Sequence, residues 1–176
     1  MQKKSWVREW VETIIVALVL ALIIRTFVVQ VFFIPTGSME PTLEVDDRII
    51  VSKFFYKLKG PERFDIAVFR YPHNKPDEPK RDLIKRIIGL PGETIEARKG
   101  IVFINGKELS EEHTMRRDIS DFGPVKIPGD AYFMMGDNRM NSSDSRVWGY
   151  LPKKYLIGPA FIRIWPLSRL GFLSDK

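Results

Sequence analysis

The chain has 176 residues, 44% hydrophobic and 28% charged, which suits one folded body plus a little extra and excludes a disordered chain. It lacks cysteine, which removes disulfides, thiolate metal sites and any thiol nucleophile; its two histidines leave only His73 or His113 for a Ser-His-Asp triad. A net charge of +6 admits anionic partners, but no basic block is long enough to read as a nucleic-acid arm.

The N-terminal segment reads as a membrane anchor. Lys3, Lys4 and Arg8 stand among Trp6 and Trp10, and residues 13–24 carry no charge. Twelve such residues are too short to cross a bilayer, but a helix over 11–29 rises about 28 Å and spans one. Glu12 and Arg25 then reach toward opposite interfaces. No Lys or Arg occurs between Arg25 and Arg48, so the positive-inside rule puts residues 1–10 in the cytoplasm and residues 30–176 outside. A cleavable export signal fits less well: Arg25 interrupts the run, and no small-residue cleavage site follows it.

Beyond residue 30 the apolar period is close to 2. Strands are predicted at 46–52, 64–71, 82–90, 93–98, 131–135 and 160–165, with a hairpin at 101–109 turning on Asn105-Gly106. Gly and Pro pairs at 60–61, 91–92, 123–124, 128–129 and 158–159 separate them. Residues 72–81 and 110–123 read as charged loops, and 151–156 as a short helical turn. The expected fold class is mainly β: a small antiparallel body, coiled or barrel-like, that hides its strand edges, behind one N-terminal helix.

Three segments can carry chemistry. The first, PTGSMEPTL, puts Ser38 on a bend between Pro35 and Pro41, where a nucleophile projects beside its own N–H. Alone, it reads equally as a solvated turn. The second, LIKRIIGLPG, sets Lys85 and Arg86 in an apolar strand, so one of the two must point inward. Lys is the better candidate, because burial lowers its pKa and frees a lone pair that can take a serine proton. An outward Lys on an edge strand is the other reading. The third, GDNRMNSSDSR, is dense in small polar residues that hold a tight loop. A hydroxyl there can orient Lys85, and Asp144 with Arg146 can brace the loop. A calcium loop is excluded because Arg139 falls at a ligand position, whereas a plain surface loop remains open.

Taken in order, the anchor, PTGSMEPTL, DRIIVSKF, KRIIGLPGE and GDNRMNSSDSRVWG resemble the bacterial type I signal peptidases, membrane-bound Ser-Lys proteases. The single span and the short stretch before the last box resemble the Gram-positive type. The resemblance implies that Ser38 is the nucleophile and Lys85 the general base. It implies an oxyanion hole from the Ser38 N–H and the Thr36 hydroxyl, a position often Ser in the family. It further implies that Ser142 hydrogen-bonds Lys85, and that Asp144, Arg146, Asp137 and Arg86 support the site. The partners it implies are signal peptides of exported preproteins and membrane lipid; no cofactor, metal or nucleic acid is needed. Ile34, Met39, Leu83 and Ile84 are expected to line pockets for small residues before the scissile bond. Residues 161–173 have two readings: a tail packed on the β-body, or an apolar patch at the lipid interface in which Trp165 and Phe172 join Phe32 and Phe33 while Arg163 and Arg169 pair with headgroups. The competing class is a membrane-tethered binding protein with a silent β-domain.

Overall fold

The computed structural model describes residues 6–72, 81–114 and 118–173. Lys3, Lys4, His73 and nearly all of the loop predicted over 72–81 lie outside these residues, as do residues 115–117 of the second loop. The apolar N-terminal segment is helical, with different bounds from those expected. Helix α1 covers Trp6–Ile23, a π-helical turn covers Ile24–Val28, and strand geometry starts at Val29. No helix of the described residues is long and apolar enough to cross a membrane. The 18 residues of α1 include Arg8, Glu9 and Glu12, so its apolar face starts about two turns late. None of its residues is buried.

The rest is β-rich. Strands β1 (Val29–Phe33), β2 (Arg48–Ser52), β11 (Leu156–Trp165), β3 (Ile66–Arg70), β4 (Asp82–Gly89), β9 (Ala131–Met135) and β10 (Leu151–Pro152) pair in that order, with β12 (Gly171–Phe172) added to β11. A second sheet holds β7 (Lys107–Glu108), β6 (Ile101–Ile104), β5 (Thr94–Arg98) and β8 (Phe122–Lys126). Neighbours in both are antiparallel. Two short helices, α2 (Phe55–Leu58) and α3 (Ser145–Trp148), sit in connections. The β6–β7 hairpin turns on Asn105 and Gly106, both at positive φ, as an Asn-Gly type I′ turn requires.

Two stretches differ from the sequence reading for physical reasons. Residues 122–126 pair with β5, although Gly123 and Pro124 argue against a strand; Gly123 sits at φ +85 where a Cβ would meet the Ile95 carbonyl at 2.7 Å. Gly158-Pro159 does not separate strands but lies inside β11. A Cβ at Gly158 would fall 1.8 Å from the Ser52 carbonyl, so glycine there serves close backbone approach at a bulge.

The first sheet curls. Residues 32–36, leaving β1, and residues 82–85 of β4 face each other across one cleft, although β1 and β4 are first and fifth in the strand order. Ile34, Met39, Leu43, Ile49, Val51 and Val68 pack together beneath it as one apolar cluster. Each such side chain contributes roughly 1.5–3 kcal/mol on burial. That cluster is the floor on which the site rests.

Candidate active site

Ser38 lies in a single 3₁₀ turn, Gly37–Met39, entered from extended backbone at Thr36. The turn is held from across the molecule: Asn138 N–H donates to the Ser38 carbonyl at 3.2 Å, and Asn138 Nδ2 to the Gly37 carbonyl at 3.1 Å. Ser38 is only 7% exposed. Lys85, on β4, is 4% exposed, and its Nζ donates to Ser38 Oγ at 2.8 Å and to the Ile84 carbonyl at 2.9 Å. Burial pushes the Lys85 ammonium down from 10.5 to about 8, against the opposing pull of Asp144 and Asp137. Neutral amine is therefore accessible near physiological pH, within hydrogen-bond reach of a serine hydroxyl.

Strand alternation predicts one of Lys85 and Arg86 inward. In the structure both are buried, Arg86 to 1% exposure, because β4 is covered on both faces. Arg86 takes Asp137 bidentately, Nε to Oδ1 at 2.8 Å and Nη2 to Oδ2 at 2.6 Å. Thr42 Oγ1 donates to the same carboxylate at 2.6 Å, and Arg86 Nη1 donates to the Phe64 carbonyl at 2.9 Å. The buried pair thus joins the chain after Ser38 to the strand of Lys85 and to the loop of Asn138.

That loop is braced a second time. Asp144 caps α3 by accepting the Arg146 N–H, and accepts Gly136 N–H at 3.0 Å and Arg146 Nε at 2.9 Å. Burial alone would raise the Asp144 carboxyl; Arg146 and the Gly136 N–H outweigh it and hold it below the usual carboxylate range. Arg146 also reaches Asp118 at 2.9 Å, and buried Arg139 pairs with Glu111. The charged segment 110–123 is therefore tied down at two points onto the polar loop.

Ser142 falls beside the dyad but makes a different contact set from the expected one. Its buried hydroxyl makes no hydrogen bond to Lys85; it sits by the Asp144 carboxylate, which it helps hold below the usual carboxylate range. Its nearness is fixed by Gly136, where a Cβ would lie 2.3 Å from Ser142 Oγ and 2.5 Å from the Ser38 carbonyl. Only glycine lets the two segments meet there.

The cleft is about 80 Å³ and is lined by Phe32, Phe33, Ile34, Pro35, Thr36, Leu83 and Ile84 around Ser38 and Lys85. Thr36 has an exposed side chain in it. Met39 is corrected: the 3₁₀ turn rotates it inward, where it is fully buried with Leu43 and Ile49 rather than lining the cleft. His113 packs edge-to-face on Phe64 at 5.9 Å, while Ser38 Oγ is paired to Lys85. Gly136, Asn138, Thr42 and Glu111 were not singled out from the sequence; the density of small polar residues around Asn138 was the available signal.

At its two arginines the tail packs on the body, the first of its two readings. Arg163 donates to the Arg169 carbonyl at 2.6 Å and the Thr42 carbonyl at 2.8 Å, and Arg169 pairs with Asp47 at 3.1 Å. Both arginines tie the tail to the body instead of facing outward. Trp165, Leu167, Leu170 and Phe172 nevertheless remain exposed.

A family model described as signal peptidase, peptidase S26, matches residues 7–165. The chain is 45% identical to a probable signal peptidase I-2 of Synechocystis over 98% of its length and 79% of that protein. It is 47% identical to a signal peptidase I of Leptolyngbya laminosa, covering 94% of this chain and 83% of that one. It is 38% identical to signal peptidase I P of Bacillus subtilis subsp. natto, covering 96% and 95%. With its buried serine turn, the chain belongs to the signal peptidases of the peptidase S26 family and is a serine protease of the signal peptidase I type.

Proposed function

We propose that this protease removes signal peptides from exported preproteins through a Ser38–Lys85 dyad, and that its N-terminal helix anchors it in the membrane. The observation that carries the mechanism is the 2.8 Å contact between Lys85 Nζ and Ser38 Oγ, with the amine's pKa at about 8. Neutral Lys85 takes the hydroxyl proton as Ser38 Oγ attacks the scissile carbonyl. The oxyanion is met by the Ser38 N–H and the Thr36 hydroxyl. The Lys85 ammonium then protonates the leaving amine. Water, deprotonated by Lys85 in turn, hydrolyses the acyl-enzyme. While Ser38 is acylated, the buried Ser142 hydroxyl is the group that accepts an N–H of the neutral Lys85 amine and orients it toward the water. Asp137 with Arg86, and Asp144 with Arg146, keep the three segments in register.

The substrate lies extended between residues 32–36 and 82–85, adding main-chain bonds on either side. A cleft of about 80 Å³ suits small side chains before the scissile bond. Ile34, Leu83 and Ile84 give it apolar walls.

Support for anchoring is the wholly exposed apolar surface of α1: Ile14, Ile15, Leu18, Val19 and Leu22 all face away from the body. Such a surface is stable in lipid and costly in water. Embedding it with the π-helical turn leaves Arg8 at the cytoplasmic side and the body, from about residue 30, outside. Exposed Phe33 and Trp165 extend the lipid-facing surface onto the body.

The test is cleavage of a preprotein by the full chain in vesicles, with the new N-terminus sequenced. Cleavage after small residues, lost in Ser38→Ala, is the expected result. Processing that survives Ser38→Ala overturns the dyad.

A further inference from the structure

The end of the N-terminal helical segment is tied to the start of α2. Lys53 N–H donates to the Val28 carbonyl at 2.9 Å, and Lys53 Nζ to the Thr26 carbonyl at 3.3 Å. Val29 and Ser52 are paired across β1 and β2 at the same level. Directly beside this junction, with Ser52 in its wall, lies a cavity of about 480 Å³. That is within the range of about 300–1,000 Å³ that holds an organic ligand. Phe55 from α2, Phe64 and Ile66 at the entry to β3, Phe161 from β11 and Phe172 from β12 form its apolar walls. It shares no lining residue with the catalytic cleft.

We propose that this cavity seats one acyl chain of a membrane phospholipid. The proposal rests on the reading of the N-terminal helix as a membrane anchor. Two features single out lipid as the occupant. The first is continuity: the cavity opens where the helix meets the body, at the level an acyl chain reaches when the helix is embedded. The second is surface chemistry. Four phenylalanines converge on it, and Phe172 keeps 78% of its surface exposed, an arrangement unfavourable in water and favourable against hydrocarbon. The charged lining carries no excess positive charge, since Arg63 is held by Glu93 beside Glu62 and Asp65, so the cavity holds the apolar chain and not the headgroup.

The experiment uses the full chain in phosphatidylglycerol vesicles doped with phosphatidylglycerol bearing a diazirine midway along one acyl chain. After irradiation, labelled peptides are mapped by mass spectrometry. Label is expected on the helix and on the peptides carrying Phe55, Phe161 and Phe172. Groove labelling should fall about tenfold in Phe55→Asp/Phe172→Asp, while helix labelling stays. Ile119→Asp, at a residue 79% exposed and outside the groove, should leave both unchanged. Circular dichroism checks the fold, and if the double variant unfolds, Phe172→Asp alone gives the same comparison. Label on the helix but not in the groove overturns the proposal and leaves the anchor standing; a groove covered by a second copy of the chain gives this result. Label on neither overturns the anchor as well. Groove label unchanged by the substitutions also overturns the proposal.

Discussion

Lys85 and Arg86 are consecutive, both are buried, and they hold opposite sides of one strand to different segments. Lys85 meets Ser38, and Arg86 meets Asp137. The charge that stays and the charge that can leave are thus neighbours in sequence with separate partners. Arg86 is neutralised by a carboxylate, whereas Lys85 faces a hydroxyl and is relieved by losing its proton.

Ser38→Ala and Lys85→Ala should each abolish turnover while leaving the fold intact by circular dichroism. Lys85→Arg should be equally inactive, because a guanidinium does not deprotonate in this range. In the active protein, kcat/KM should climb as pH rises through about 8 and level off above it, following the Lys85 pKa. A rate that climbs only near 10.5 would show an ordinary, solvated lysine.

The same shift has a stability consequence of opposite character. Folding lowers the Lys85 pKa, so between about 8 and 10.5 the unfolded chain binds more protons than the folded one. Stability therefore rises with pH across that window, and below about 8 the folded state carries the full cost, about 3 kcal/mol. Lys85→Met removes that cost and leaves the Ser38 hydroxyl without its partner, a loss of about 1 kcal/mol. Urea denaturation at pH 7 should show the variant more stable by about 2 kcal/mol, and the gap should shrink as pH approaches 10.5.

Gly136→Ala tests the approach of the two loops. The added methyl meets a side chain that can turn away, Ser142, and a backbone carbonyl that cannot, Ser38. Displacing the serine turn by about an ångström should cost about 100-fold in kcat. Adding Ser142→Gly should not restore it. Recovery in the double variant would place the strain on the side chain alone.

Asp137→Ala leaves Arg86 charged, buried and without its bidentate carboxylate. Breaking such a pair costs about 3–5 kcal/mol, readable as a lower urea midpoint. Arg86→Met/Asp137→Leu should recover most of that stability. Activity should stay reduced in the double variant, since Thr42 and the loop of Asn138 lose the carboxylate that links them.

Thr36→Val keeps the shape of the residue and removes its hydroxyl. If that hydroxyl meets the oxyanion, kcat should fall by about 10²–10³ with KM little changed, and Thr36→Ser should stay within a few-fold of the natural protein. Equal turnover for Val and Thr would exclude the hydroxyl from the hole.

What could be read from residues alone was whatever a short window contains. Asn105-Gly106 announced its hairpin because two positive φ values are a local demand. Ser38 and Lys85 stood out because a kinked polar turn and a charged pair in an apolar strand are local anomalies. Contacts between distant segments left no such mark. Asn138 grips the serine turn across 101 residues, and Glu111 grips Arg139 across 28. Gly158 was misread as punctuation because the Ser52 carbonyl that demands it lies in another strand. Met39 was misread as a pocket wall because the direction of one 3₁₀ turn decides between cleft and core.

Strand β1 begins at Val29, where the helical segment ends, runs to Phe33, and the chain bends at Thr36 into the serine turn. Seven steps at about 3.3 Å set an upper length of about 23 Å for this spacer. Pairing with β2 along its whole length makes the first part of that spacer stiff. Ser38 is therefore carried at a set height by a spacer that is stiff over its first part, and whatever fixes the helix fixes that height. A peptide whose scissile bond sits too near or too far from the same plane would reach the wrong part of the cleft, so selection by distance would operate alongside selection by side-chain size.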